Sequence, residues 1–138
     1  MNCPFCNISK EKTRIVREGK NVLVIFSNPK LMDGHLLVIP KRHVEKLSEL
    51  NKEEKEELFE TVIDFQEKIL SKISKGCDIR QNYRPFQKQD NLKVNHLHIH
   101  LQPRGFEDEL YKKCQIFEKG IFRQLTEEEI DNISKLLA

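Results

Sequence analysis

The chain lacks several features that would place it outside the class of small globular proteins. No apolar run approaches the 18 residues of a membrane-spanning helix. Residues 1–6 lack the basic start and apolar centre of a signal peptide, so we expect a cytoplasmic protein. Neither sign of charge dominates: 24 Lys and Arg against 22 Asp and Glu leave a net charge of +2, which requires no membrane or nucleic-acid partner. The 138 residues suffice for a single domain, 1–138, with its own core.

Cysteine is scarce, and its spacing is informative at one place only. In a cytoplasmic protein, four cysteines are expected to be thiols or metal ligands rather than disulfides. Cys3 and Cys6 form a Cys-x-x-Cys pair, which with two histidines would complete a tetrahedral zinc site. Spacing does not choose those histidines, and an exposed thiol pair is the alternative. Cys77 and Cys114 have no partner motif and are interpreted as ordinary thiols.

Apolar patterns bounded by turn residues predict five strands. They span residues 14–17, 22–26, 35–39, 79–86 (broken at Pro85) and 93–101. The strand at 35–39 is apolar on both faces and is predicted to be central.

Two helices are predicted from capping signals and apolar spacing. Asn51 followed by Glu54 should start a long helix that ends at Gly76. Its apolar stripe follows helical spacing: Leu58, Phe59, Val62, Phe65, Ile69, Leu70 and Ile73. Residues 125–129 carry a second capping signal, for a short helix ending at Leu137.

Three of the five histidines alternate near the end of the fifth predicted strand. In an extended strand His96, His98 and His100 share one face, and the apolar residues between them point to the other. Neutral imidazole can act as a nucleophile, a proton carrier or a metal ligand. A His-rich edge strand or an accidental metal site is the alternative, but the clean apolar counter-face favours a functional site.

This stretch resembles the His-x-His-x-His-x-x signature of the histidine-triad (HIT) superfamily, with Gln102 where an apolar residue is usual. Residues 34–43, Gly-His-Leu-Leu-Val-Ile-Pro-Lys-Arg-His, resemble a second motif of the family. The resemblance covers residues 1–104 and leaves 105–138 as a C-terminal extension with the short helix. It implies an α+β fold, with an antiparallel sheet of about five strands and one long helix, and it implies a homodimer.

The resemblance also assigns every histidine a role. In zinc-bearing members the knuckle is joined by an upstream histidine and by the first triad histidine; here those ligands are Cys3, Cys6, His43 and His96. The middle histidine of the family attacks the α-phosphorus of a nucleotide, a role that carries over to His98. His100 resembles the family residue that contacts the phosphate and leaving group as a general acid. His35 resembles the buried histidine that orients the triad. The alternative for His35 is a core histidine with a purely structural role.

Nucleotide-binding residues are predicted less directly. Asn28 resembles the residue that hydrogen-bonds the ribose, although its gap to His35 is one residue shorter than usual in the family. Many members have Gly-Gln-Ser/Thr-Val before the triad, whereas this chain has Asn-Leu-Lys-Val at 91–94. Cationic side chains nearby could replace those phosphate donors, or they could form a basic solvated loop. The candidates for phosphate binding are Arg80, Arg84, Lys93 and Gln102, with Lys88 in the same cluster.

The resemblance therefore implies a nucleotide hydrolase that cleaves dinucleoside polyphosphates or related nucleotidyl conjugates at the α-phosphorus. The bond would be a phosphoric anhydride or a phosphoramide, and zinc would be structural. His100 favours hydrolysis, because the transferase and phosphorylase branches resemble His-x-His-x-Gln. The alternatives are such a transferase or phosphorylase and a non-catalytic, zinc-stabilised nucleotide-binding protein.

Overall fold

The computed structural model describes residues 2–138, which form two compact units that meet in sequence at Gly105 and Phe106. The first unit contains the sheet and the long helix, and the second contains shorter helices. Within residues 2–138, every helix is too short or too polar to cross a membrane.

The first unit is built on a five-stranded sheet in which all neighbouring strands are antiparallel, as predicted. The strands are β1 Ile15–Glu18, β2 Val22–Phe26, β3 Leu36–Pro40, β4 Gly76–Arg80 and β5 Ile99–Arg104. Their order is β1-β2-β3-β5-β4, so β3 is central, as expected from its apolar sequence. β2 and β3 are buried almost throughout, because both faces of the sheet are covered.

The positions of the last two strands differ from the prediction. β4 ends at Arg80 instead of covering 79–86, and β5 begins at Ile99, so His96 and His98 lie in the segment that leads into the strand. β4 is an edge strand whose last three residues are exposed. β4 pairs with β5 from Gly76 opposite Arg104 to Arg80 opposite His100. The sequence of β4 shows no apolar alternation from which this pairing could be predicted.

The long helix α1 spans Lys52–Lys72 and starts as predicted. The Asn51 side chain accepts a hydrogen bond from the Glu54 amide at 2.8 Å, and the Glu54 carboxylate accepts one from the Asn51 amide at 2.9 Å. The prediction that Gly76 ends the helix is wrong. The helix stops at Lys72, and Gly76 starts β4, where an added Cβ would lie 3.2 Å from the Arg104 carbonyl oxygen.

Two apolar clusters cover the two faces of the sheet. On one face, the buried side of α1 packs against the sheet through Leu58, Val62, Phe65 and Ile69. Leu97, Ile99 and Leu101 point to this face. On the other face, Cys3, Phe5 and Ile8 of the N-terminal segment pack on Leu23, Ile25, Leu37 and Ile39. The N-terminal segment is therefore part of the core.

The second unit is helical and ends in the predicted short helix. A π-helical stretch, Tyr111–Gln115, runs into α2, Ile116–Glu118, and α3 spans Glu127–Leu137. The Thr126 hydroxyl caps α3 by accepting from the Glu129 amide at 3.2 Å. Residues 111–118 were not predicted to be helical, because their apolar residues show no clear helical spacing.

Candidate active site

Three histidines meet at one end of the sheet, where β3 begins beside β5. His100 pairs with Leu37 of β3, and His35 immediately precedes that strand. This register places His35 Nε2 2.9 Å from His100 Nδ1. The ring of His98 lies 4.9 Å from that of His100 and packs edge-on against Phe5 at 5.3 Å. The predicted cluster of His35, His98 and His100 is thus present on the face that carries the N-terminal segment.

The backbone fixes which nitrogen of His98 carries hydrogen. His98 Nδ1 lies 2.7 Å from the His96 carbonyl oxygen. Because a carbonyl oxygen only accepts, Nδ1 must be the protonated nitrogen. In the neutral ring, Nε2 then keeps its lone pair. A hydrogen bond to a residue two positions away therefore presents the nitrogen that a nucleophile needs.

A chain of hydrogen bonds fixes His35 and His100 in the same way. The Leu31 amide donates to His35 Nδ1 at 3.1 Å, so the hydrogen of neutral His35 is on Nε2. That N–H donates to His100 Nδ1, which leaves the hydrogen of neutral His100 on its own Nε2. A second proton on His100 would place two N–H groups against each other. The network therefore favours neutral His100 with one N–H donor.

Burial keeps these rings uncharged near neutral pH. It lowers the pKa of His35 to about 4 and that of His100 to about 3, and the charge of His98 adds to both effects. The neighbouring His35 and Arg80 lower the pKa of His100 further. Burial also lowers the pKa of His98. A neutral His98 is the form whose Nε2 can attack phosphorus.

A second cluster brings together the four predicted metal ligands, Cys3, Cys6, His43 and His96, whose ligand atoms all lie within 4.8 Å of one another. The sulfur-to-nitrogen distances are 3.4 Å for Cys3 to His96, 3.4 Å for Cys6 to His43 and 3.6 Å for Cys6 to His96. Ligands at ordinary zinc distances, about 2.3 Å for sulfur and 2.05 Å for nitrogen, define a tetrahedron with a sulfur–nitrogen edge of about 3.5 Å. The cluster could therefore bind a metal ion.

The surroundings of this cluster also suit a metal. His96 Nε2 donates to the Pro40 carbonyl oxygen at 2.8 Å, which leaves the Nδ1 lone pair directed at the two sulfurs. Burial raises the pKa of the Cys6 thiol, and its hydrogen bond with Cys3 and the charge of Cys3 raise it further. A cation would offset this repulsion and hold both residues as thiolates.

Two cavities meet at the histidines. The first has a volume of about 450 Å³, and the second has about 520 Å³. His98 and His100 line both, and a ridge formed by Asp90, Leu92 and Val94 also borders both. The first cavity has an apolar wall formed by Pro4, Phe5, Leu31 and Leu37, and Arg14 and Lys30 also line it. The second is polar, with walls from Asn82, Arg84, Gln87, Lys88 and Lys93.

The residues predicted to bind the nucleotide or its phosphates differ in whether they line these cavities. Asn28 is exposed at the first cavity, and Arg84 and Lys93 line the second. Arg80 is opposite His100 on β4, outside the lining of both cavities. Gln102 is 3% exposed and also contributes to neither lining.

Sequence reasoning missed the apolar wall formed by Pro4 and Phe5. Their position between Cys3 and Cys6 could have predicted this wall. A metal bound to both cysteines and to histidines at the sheet would also fix the two residues between the cysteines. Leu31, whose amide orients His35, gave no sequence signal, because any residue except proline has that amide.

Comparisons with known proteins agree with the motifs. The sequence model of the HIT domain matches residues 9–107. An uncharacterised HIT-like protein of Methanocaldococcus jannaschii is 31% identical over 105 residues, which cover 74% of this chain and 78% of that protein. An adenosine 5′-monophosphoramidase of Schizosaccharomyces pombe is 28% identical over 113 residues, covering 78% of each chain.

Solved structures extend the similarity to the whole fold. A HIT family protein of Bacillus anthracis superposes with a TM-score of 0.72 at 27% identity, covering 99% of this chain and 94% of that one. A HIT family hydrolase of Legionella pneumophila gives a TM-score of 0.59 at 26% identity, covering 78% and 97%. With the domain match spanning most of the chain and both histidine motifs in place, this protein belongs to the HIT domain family.

Proposed function

We propose that this protein is a nucleotide hydrolase that cleaves a bond to the α-phosphorus through a nucleotidyl-histidine intermediate on His98. One observation carries the proposal: the Nε2 lone pair of His98 is left available by the hydrogen bond from Nδ1, and His98 lines both cavities. A substrate with its nucleoside in one cavity and its leaving group in the other would have its α-phosphorus at His98. The S. pombe phosphoramidase and the Legionella hydrolase are relatives with hydrolytic names, which supports this reaction class.

The proposed reaction has two displacements. In the first, His98 Nε2 forms a bond to phosphorus while the bond to the leaving group breaks and its electron pair leaves with that group. The resulting imidazolium keeps its Nδ1–H on the His96 carbonyl, whose partial negative charge stabilises it. In the second, water attacks phosphorus, the P–N bond breaks with its electron pair returning to Nε2, and a proton from the water passes to solvent. The product is a nucleoside monophosphate.

His100 was predicted to be a general acid, and its hydrogen-bond network suggests a more limited role. Since His35 donates to His100 Nδ1, His100 has one N–H left, on Nε2. We propose that this N–H donates a hydrogen bond to a phosphoryl or leaving oxygen and is not transferred completely. His35 would act by holding that tautomer. A glutamine at position 100 retains an N–H donor and should preserve more activity than alanine does.

Nucleoside binding is assigned to the first cavity. Its apolar wall, which includes Phe5, Leu31 and Leu37, suits a base, and the exposed Asn28 at its edge could accept or donate hydrogen bonds to ribose hydroxyls. Two of the residues predicted to bind phosphate, Arg84 and Lys93, line the second cavity. They lie on the opposite side of His98. Arg80 would act on His100 through its charge, and the buried Gln102 would support β5 from inside the protein.

We further propose that Cys3, Cys6, His43 and His96 hold a structural zinc ion. All four coordination positions come from the protein, which is typical of a structural site. Zinc would contribute a fixed cross-link between the N-terminal segment and the sheet. Pro4 and Phe5 lie between two of the ligands, so the same cross-link would hold the wall of the nucleoside cavity.

A homodimer is also proposed, on the basis of α1. The helix exposes a second apolar stripe in addition to its buried one, formed by Phe59, Ile63 and Leu70, and Ile73 just after the helix is also exposed. Apolar side chains at this spacing suit an interface with a second copy. Light scattering should give the mass of two chains for the wild type and of one for Ile63→Glu; a wild-type monomer would contradict the proposal.

The reaction is tested with a panel of dinucleoside polyphosphates and nucleoside phosphoramidates in ¹⁸O-labelled water, with and without added phosphate. Hydrolysis predicts one labelled oxygen in the nucleoside monophosphate and no transfer to phosphate. Transfer to added phosphate would identify a phosphorylase instead. Binding without turnover of any substrate would identify the non-catalytic alternative.

A further inference from the structure

The imidazole of His98 needs more than one hydrogen bond to keep a single orientation. Rotation about the Cβ–Cγ bond of histidine has a broad, roughly two-fold energy profile, so the side chain by itself fixes its ring weakly. A half turn would exchange Nδ1 with a ring carbon and would move Nε2 as well. The hydrogen bond from Nδ1 to the His96 carbonyl oxygen, at 2.7 Å, favours one of the two orientations. It leaves the ring able to tilt about that bond.

The ring of Phe5 provides a second contact that restricts His98. The two ring centroids lie 5.3 Å apart at an interplanar angle of 80°, which is an edge-on packing. Phe5 also packs edge-on against His96, at 5.8 Å and 79°. It is 7% exposed and belongs to the apolar cluster on that face of the sheet. A buried ring in contact with both histidines has little room to move, so it limits the tilt of His98.

The backbone around Phe5 is folded into a tight turn. The Cys6 amide donates to Cys3 Sγ at 3.4 Å. Asn7 donates to the Cys3 carbonyl oxygen twice, through its side-chain amide at 2.9 Å and its backbone amide at 3.3 Å. Phe5 lies inside this turn, between two of the metal-ligand candidates, and His96 is a third candidate. Both restraints on the nucleophile therefore come from segments that carry the metal-ligand candidates.

We infer that Phe5 is a positioning residue for the reaction, because its ring holds the imidazole of His98 at the angle at which Nε2 meets the α-phosphorus. This inference rests on the proposed nucleotidyl-histidine mechanism, and it goes beyond the role of Phe5 as a wall of the nucleoside cavity. Displacing a reacting atom by about 1 Å can lower a rate by about a hundredfold. A ring that sets the angle of the nucleophile acts on the rate of bond formation, whereas a ring that only packs on the base acts on binding.

The test variant is Phe5→Leu, which removes the flat ring and leaves an apolar side chain. Phe65→Leu is the matched control, because Phe65 is 6% exposed and packs on the opposite face of the sheet. The two substitutions remove the same atoms from equally buried sites, and urea denaturation measures the stability that each one loses. Phe5→Met repeats the test with a flexible side chain, so the result does not depend on the folding of one variant. Zinc is present in every assay.

The main measurement is the rate of adduct formation in a single turnover at saturating substrate, which excludes the contribution of binding. The substrates are adenosine 5′-phosphoramidate and diadenosine tetraphosphate, each labelled in the α-phosphate. Phe5→Leu and Phe5→Met should lower this rate by about tenfold or more. Phe65→Leu should lower it by less than about twofold, because its site is remote from His98. The affinity for adenosine monophosphate, measured in parallel, reports the packing of Phe5 on the base.

Nitrogen NMR at a fixed pH provides a readout that a purely structural role would not change. In the wild type and in Phe65→Leu, the hydrogen of His98 should be on Nδ1. In Phe5→Leu the share of the Nε2–H form should rise, because a ring that turns loses the His96 carbonyl as its acceptor. A slower rate with the wild-type nitrogen resonances would overturn the inference, since the ring would then be unmoved.

Weaker binding of adenosine monophosphate with an unchanged rate of adduct formation would also overturn it and would leave Phe5 as a wall of the cavity alone. The same rate loss in Phe5→Leu and Phe65→Leu would show an effect of stability and would overturn it too. Absence of both adduct and turnover in the wild type with either substrate would instead contradict the proposed function itself. The wild-type measurements alone distinguish that failure from the others.

Discussion

Lowering the pH from 7 to 5 should destabilise the folded protein through the buried pair His35 and His100. Their folded-state pKa values are about 4 and about 3, whereas an unfolded histidine has a pKa of about 6.5. Above pH 6.5 both rings are neutral in both states, and the pair has no effect on the pH dependence. Below it, the unfolded chain binds a proton at each ring that the folded chain does not bind, so stability falls as the pH falls.

The size of the loss follows from that difference. At pH 5 it is set mainly by the unfolded-state pKa, because both folded-state values lie below this pH. Each histidine contributes about 1.4 kcal/mol for each of the 1.5 pH units below 6.5, or about 2 kcal/mol. The loss continues until the pH reaches about 4 for His35 and about 3 for His100. Charging His100 would also place a second N–H inside their 2.9 Å hydrogen bond, and charging His35 would place an N–H against the Leu31 amide.

Urea denaturation at pH 7 and pH 5 measures this loss. His35→Gln and His100→Gln each remove one titrating ring, and each should lose about 2 kcal/mol less stability between the two pH values than the wild type does. The other side chains are the same in all three proteins, so their contributions cancel in the comparison. An identical pH dependence in the wild type and both variants would refute the conclusion that these histidines are held neutral.

Three further predictions concern the supports of the site. Cys3→Ser should release the metal and lower Tm, because a structural ion contributes folding free energy. Elemental analysis and calorimetry measure both effects. A wild type that contains no metal and has the same Tm as Cys3→Ser would contradict the prediction. Lys93→Met removes the ammonium that donates to the carbonyls of Arg84 and Gln87, and it should lower kcat/KM for a dinucleoside polyphosphate by roughly tenfold. Unchanged kinetics would show that the 84–87 turn keeps its shape without the ammonium. Gly34→Ala should lower the free energy of unfolding, measured by urea denaturation, by about 1–2 kcal/mol. Gly34 has φ +79°, and an added Cβ would lie 3.2 Å from Pro103 Cγ. Gly105→Ala is the control, because an added Cβ there meets nothing within 4 Å.

Local signals predicted the parts of the fold that local chemistry decides. The Asn51 and Glu54 cap started α1 where the sequence indicated, because both hydrogen bonds join residues three apart. The apolar sequence of β3 indicated a central strand, because a strand covered on both faces has no polar side. β4 could not be placed in the same way. Its residues, from Gly76 to Arg80, pair with residues that lie 20 to 28 positions later in the chain, from Arg104 back to His100.

The site shows the same division. The histidine spacing and the family resemblance predicted which side chains would cluster, including the four metal-ligand candidates. The protonated nitrogen of each ring depends on backbone atoms, the His96 carbonyl and the Leu31 amide, that side-chain identity does not reveal. The separation of the cavities depends on how residues 90–94 fold back through Asp90, which is also a matter of backbone hydrogen bonding. In the proposed mechanism, these backbone contacts limit His100 to the role of a hydrogen-bond donor.

If His98 forms a covalent bond with the nucleotide during turnover, that adduct can be trapped and located on the chain. The wild type is mixed with substrate labelled in its α-phosphate, quenched in alkali within milliseconds and digested, and the labelled peptide is mapped by mass spectrometry. We expect an acid-labile nucleotidyl group on His98 that is absent from His98→Ala. This variant should keep its fold and metal and lose turnover by several orders of magnitude. A label on another residue, or an active His98→Ala protein, would contradict the proposed covalent step.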